Sequence, residues 1–456
     1  MEETLSVESL PVFDRRRAGV LLHLSSLDAP LGRGGRAFID WLATAGFSVW
    51  QFLPVGPTGA DRSPYFARSD FAGNPAFLDP SDPPGDAGDW AEFQEATHPW
   101  LEDYALFEQI SARFAATPWW DWPAPFNRRE GQALRGIRRE CAAGLERVRT
   151  EQFAFFVQWR RLRRYAHARG VRLFGDLPFY VGPMSAETWA EREQFQLEES
   201  GRPAAVAGVP PDYFSALGQV WGNPLYDWAA MQRDGFSFWR RRLGAQLERT
   251  DVLRIDHFRA FAAHWAVPAG AADARGGQWR PTPGRELLTR LRAERGELPI
   301  VAEDLGLITA DVTALLQEFA LPGMRVLQFA FDGSPDNPHL PAHIGRDCVV
   351  YSGTHDNDTT LGWYRSLDER TRAYVDRTLG LEHDSMPEAL LHVALGTAAQ
   401  LAVIPAQDLL GLGSEARLNT PGTQSATNWS WRLAPHALTA DLAAHWASVN
   451  VRFGRA

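Results

Sequence analysis

Eight short apolar runs punctuate the 456-residue chain, at 18–23, 48–55, 171–180, 252–258, 298–305, 324–331, 348–354 and 401–405. They are rich in β-branched and aromatic residues, and several are almost continuously apolar, as strands buried on both faces of a parallel sheet must be. Helical periodicity fills the intervals. In 36–47, Phe38, Trp41, Leu42 and Ala45 share one face, with Gly46 as the stop; in 151–169, Phe155, Trp159, Leu162 and Ala166 do the same before Gly170. Strand–helix alternation over eight strands predicts an α/β chain folded as one closed (β/α)8 TIM barrel, in preference to a doubly wound sheet. Two connections far exceed a simple loop, about 115 residues after the second run and about 70 after the third. They predict an inserted helical subdomain over about 80–150, carrying Trp100, Trp119, Trp120 and Trp122, and an inserted segment over about 184–245 that covers the active site. Insertions after barrel strands stand on the C-terminal face, where this architecture places its chemistry.

Composition narrows the chemistry. Every basic residue except histidine is Arg, with no Lys anywhere, which removes Schiff-base catalysis and the P-loop lysine, and with them PLP enzymes and Walker-type NTPases. A net charge of -10 offers no basic surface for nucleic acid or an anionic membrane, so a neutral partner is expected. Cys141 and Cys348 stand far apart without metal-ligand spacing and read as structural thiols. No apolar h-region and no run of eighteen apolar residues occurs, so a cytoplasmic enzyme is expected. The 18 Trp residues supply flat apolar rings of the kind that stack on sugar faces, although core packing uses them equally.

Three strand ends each deliver an acid where the barrel opens. They are Asp256 in Leu253-Arg254-Ile255-Asp256-His257-Phe258, Glu303 in Val301-Ala302-Glu303-Asp304, and Asp356 in Gly353-Thr354-His355-Asp356-Asn357-Asp358. Arg254 and Asp256 are two apart and so share one side of an extended strand, where the guanidinium keeps the carboxylate ionised, the state a nucleophile needs. An acid/base residue needs the opposite, a carboxyl protonated near neutral pH by an apolar surround or a neighbouring negative charge, and Glu303 takes that role. Asp356, with His355 beside it, would brace sugar hydroxyls and an oxocarbenium-like transition state. The rival reading is a metal site built from Asp256, His257, Glu303, His355, Asp356 and Asp358. Strand alternation opposes it, because His257 should point away from the side that Asp256 faces.

At these residues the chain resembles the amylomaltases, the 4-α-glucanotransferases of glycoside hydrolase family 77 related to the α-amylases. The likeness extends over nearly the whole sequence. Beyond the three acid motifs it rests on Trp50-Gln51-Phe52-Leu53-Pro54, Ser63-Pro64-Tyr65, Gly175-Asp176-Leu177-Pro178, Gly208-Val209-Pro210-Pro211-Asp212-Tyr213-Phe214-Ser215, Trp221-Gly222-Asn223-Pro224 and Asn419-Thr420-Pro421-Gly422. The resemblance implies Asp256 as nucleophile, Glu303 as acid/base and Asp356 as transition-state stabiliser. It also implies an active-site cover over 210–221 and sugar contacts from Tyr65, Asp212, Trp221, Asn337 and Asn419. Phe66, Met184 and Ala260 depart from the family pattern, which usually has Gln, Asp and Gly there, and the stretch 31–35 is short.

The expected reaction is double displacement with retention on maltooligosaccharides and other α-1,4-glucans, with no cofactor and no metal. An α-amylase-type hydrolase is the alternative, since water or sugar can resolve the same intermediate. A non-catalytic glucan-binding protein is a third reading. Oligomeric state leaves no trace in the sequence.

Overall fold

The computed structural model describes residues 10–115, 117–211, 215–380 and 386–456. In chain order the strands are β1 (Arg17–Leu21), β2 (Val49–Gln51), β3 (Arg172–Leu177), β4 (Ala205–Val209), β5 (Gln219–Pro224), β6 (Val252–Ile255), β7 (Ala263–Pro268), β8 (Gln278–Pro281), β9 (Ile300–Ala302), β10 (Gly323–Val326), β11 (Cys348–Tyr351) and β12 (Leu401–Pro405). Eight of them, one in each apolar run, form a single sheet in the order β10-β11-β12-β1-β2-β3-β6-β9 with every pairing parallel. The Ala302 N–H donates to the Pro322 carbonyl at 2.9 Å and joins the two edges. The result is the expected (β/α)8 TIM barrel.

Period-two alternation sorts the side chains of each strand. Val49, Phe174, Val252, Val301, Val349 and Val403 point inward into one buried cluster, while Trp50, Leu173, Val350 and Ile404 point outward under the helices. The helix predicted over 36–47 spans Arg36–Thr44, with Gly46 at φ 74° turning the chain back. The short stretch before it is one tight turn, Leu31–Gly35, that runs straight into the helix. The second predicted helix begins earlier than its apolar stripe, spanning Ala142–Ala168. Its C-terminal half packs on the barrel and its N-terminal half packs in the helical insertion, so one helix serves two cores.

The insertion after β2 holds helices Ala87–Thr97, Leu101–Arg113 and Gly131–Glu140. Trp119 and Trp122 are buried in its core, and their indole N–H groups donate to the backbone carbonyls of Pro183 and Thr117. These two rings serve the core of the insertion, one of the two uses that composition left open. Met184 packs against the same core. The segment after β3 contributes β4 and β5 to an antiparallel sheet of order β5-β4-β7-β8, whose other half follows β6. Among the described residues no helix is long and apolar enough to cross a membrane.

Candidate active site

Register explains why remote residues meet at the barrel mouth. Asp176 on β3 lies directly opposite Arg254 on β6, and both alternate inward, so the two side chains enter one layer. Arg254 Nη1 donates to both Asp176 oxygens at 2.8 and 2.7 Å, and Nη2 donates to Asp256 Oδ1 at 2.6 Å. Burial works against the guanidinium charge, but Asp176 and Asp256 outweigh it and hold the group well above its ordinary value. One arginine thus bonds two carboxylates, Asp176 and Asp256, from different strands.

The network continues across the mouth. Ser63 caps the single turn Pro64–Phe66 through the Tyr65 N–H and sets Tyr65 beside the strands. The Tyr65 hydroxyl donates to Asp176 Oδ2 at 2.7 Å and meets His355 Nε2 at 2.9 Å. Its only hydrogen goes to Asp176, so His355 Nε2–H is the donor in the second bond. Burial and the Asp176 charge push the phenol well above its usual range. His355 stacks on Tyr65 at 5.3 Å and 16°, with Trp429 flanking both rings.

Asp356 follows His355 in a turn closed by Asn357 Oδ1, which accepts from the Thr354 N–H and hydroxyl, each at 2.9 Å. Its Oδ1 accepts from Asn419 Nδ2 at 2.7 Å and lies 3.4 Å from His355 Nε2. Arg417 fixes both backbones, donating to the Asp356 carbonyl and the Asn419 carbonyl at 2.7 Å each.

Glu303 directly follows β9. Its oxygens accept from the His257 and Leu305 N–H groups, both at 2.8 Å. Burial and the negative charge of Asp256 raise its pKa to about 7, against the opposing pull of Arg254 and the two N–H donors. A carboxyl that holds its proton toward neutral pH is of the kind acid/base work uses.

Other expected contacts divide. Trp221 lies edge-on to His257, with ring centres 4.8 Å apart at 84°. Asn337 is buried and bonded to its own loop, donating to the Phe329 carbonyl and accepting from the His339 N–H, each at 2.8 Å. Asp212 lies outside the described residues. Phe66 shares the turn with Tyr65, and Ala260 is fully buried in the turn Phe258–Phe261. Of the residues in the metal reading, Asp358 accepts from Ser414 and Thr359, and His257 packs on Trp221. Among the described residues no group of three or more His, Cys, Asp or Glu is arranged to hold a metal ion.

Two residues that sequence reasoning did not single out complete the site. Asp176 carries the same signal as the three acids, a carboxylate at the C-terminal end of an apolar strand. Arg417 carries none, because it acts only through backbone carbonyls.

The family model for 4-alpha-glucanotransferases of glycoside hydrolase family 77 matches residues 22–85 and 82–439. The 4-alpha-glucanotransferase of Thermus thermophilus is 45% identical over 93% of this chain and 96% of its own length. That of Synechocystis sp. is 41% identical over 97% and 99%. The solved amylomaltase of Streptococcus agalactiae in complex with acarbose shares the fold at a TM-score of 0.91 and 30% identity, covering 97% of this chain and 100% of that one. With the family match spanning most of the sequence and the relatives matching it nearly end to end, the chain belongs to the 4-α-glucanotransferase family, glycoside hydrolase family 77.

Proposed function

We propose that this chain transfers α-1,4-glucan segments between maltooligosaccharides by double displacement with retention. Asp256, held by Arg254, attacks the anomeric carbon while Glu303 gives its proton to the departing glycosidic oxygen. The nucleophile–carbon bond forms as the glycosidic bond breaks, and the donor's reducing-end fragment leaves as an alcohol. Glu303, now a carboxylate, takes the proton of an incoming sugar hydroxyl, whose oxygen displaces Asp256 and restores both carboxyl states. Asp356, oriented by Asn419 and His355, faces the positive charge that develops on the sugar ring. Tyr65, Asp212, Trp221, Asn337 and Asn419 are the proposed sugar contacts, on the strength of the family pattern.

The observation that carries this reading is the pairing at one barrel mouth of a carboxylate bonded to Arg254 with a carboxyl raised to about 7. Transfer, in preference to hydrolysis, is supported by the family to which the chain belongs. Incubation with maltotriose tests both points. A transferase yields glucose and a ladder of longer chains whose new linkages are α-configured, whereas mainly glucose and maltose would favour the hydrolase, and β-configured products would overturn retention.

A further inference from the structure

His257 follows Asp256 directly and takes a left-handed backbone at φ 52°, a conformation glycine adopts freely and histidine does not. That turn aims the His257 N–H at Glu303 Oε2, at 2.8 Å, and the next N–H, of Phe258, at the Glu303 carbonyl, at 3.2 Å. The imidazole takes no part in these bonds. Its buried Nε2 has no hydrogen-bond partner among the described residues, and burial lowers its pKa to about 4, so the ring is neutral. What the ring does is pack, edge-on against Trp221 of β5 at 4.8 Å and beside Tyr180 at 6.3 Å.

We propose that His257 is a positioning residue: its ring, packed in one cluster with Trp221 of β5 and Tyr180, pins the left-handed turn whose N–H holds the Glu303 carboxyl. The antiparallel sheet that carries Trp221 thereby sets the orientation of the acid/base from a distance. The inference rests on the reading of Glu303 given above. The groups facing the Glu303 carboxyl are Asp256, Arg254 and the N–H groups of His257 and Leu305; those facing His257 are Asp256, Arg259 and His264. Removing an N–H donor takes away a contact that favours the carboxylate, so Glu303 keeps its proton to higher pH.

The test is the pH dependence of kcat/KM for maltotriose disproportionation in His257→Ala and His257→Phe. Alanine deletes the ring and keeps the Cβ that disfavours the positive φ. Phenylalanine restores a ring without a titratable nitrogen, and Phe236 already sits at φ 59° in this chain. In His257→Ala the alkaline limb should rise by about one pH unit, with kcat down roughly tenfold. His257→Phe should return the limb to the wild-type position. An alanine limb that superimposes on the wild type overturns the inference, and so does a phenylalanine limb that stays shifted, since that assigns the effect to the imidazole. If His257→Phe does not fold, the alanine limb decides. Glu303→Gln separates the two levels: retained transfer removes the acid/base reading itself, while lost transfer with an unmoved alanine limb removes only the role of His257.

Discussion

Replacing Asp176 by Ala asks whether the barrel mouth works as a connected network. The carboxylate has no exposed side-chain surface; it receives Arg254 at 2.8 and 2.7 Å and the Tyr65 hydroxyl at 2.7 Å. Removing one partner of a buried ion pair costs roughly 3–5 kcal/mol. Arg254 keeps its bond to Asp256, so the lower end, about 3 kcal/mol, applies. With an unfolding entropy of about 2.1 cal/mol/K per residue, the whole chain loses about 1 kcal/mol per degree, and Tm should fall by about 3 °C. Catalysis should suffer more. Arg254 is left with one carboxylate where it had two, and Tyr65 loses the acceptor that orients it toward His355; a shift of order 1 Å in such groups costs roughly 100-fold in kcat. Calorimetry and maltotriose disproportionation read the two effects, and Asp176→Asn, which keeps an acceptor oxygen, should lose less stability. An alanine variant melting within about 1 °C of the wild type and turning over within about threefold of it would refute the network.

The raised pKa of Glu303 sets a pH dependence: transfer should fall as pH rises through about 7, where the proton donor ionises. Stability follows the same group. The folded carboxyl holds its proton more tightly than the unfolded chain, whose value is 4.5, so stability is lost as pH climbs from 4.5 toward about 7; the stability of the wild type relative to Glu303→Gln should decline across that window in melts. Asn419→Asp replaces a donor with a second carboxylate 2.7 Å from Asp356 and should cut kcat roughly 10- to 100-fold with the melt little changed. Arg455 is fully buried and donates to the carbonyls of Leu395, Arg17, Thr397 and Ala399 at the N-terminal end of the barrel. Arg455→Ala should lower stability by about 3 kcal/mol while KM and kcat stay at their wild-type values.

Much of the site was legible because its signals are local. The i, i+2 spacing of Arg254 and Asp256 announces a shared strand face, and an apolar strand ending in an acid announces a carboxylate at a barrel mouth. Asp176 obeys the same rule and was open to the same reasoning. The tryptophans of the helical insertion show the limit of composition: the same flat ring serves a core or a sugar, and only the partners of Trp119 and Trp122 distinguish the two.

The sequence by itself determined the eight strands, their helical intervals and the inward parity of the acids, since burial on both faces and period-two alternation are properties of neighbouring residues. The tertiary structure decided which residues face one another: the register that sets Asp176 opposite Arg254, the turn that brings Tyr65 between Asp176 and His355, and the packing of Trp221 on His257. Those choices depend on barrel closure and on contacts between segments scores of residues apart, and no local pattern encodes a hydrogen bond whose two ends are brought together only when the whole sheet closes.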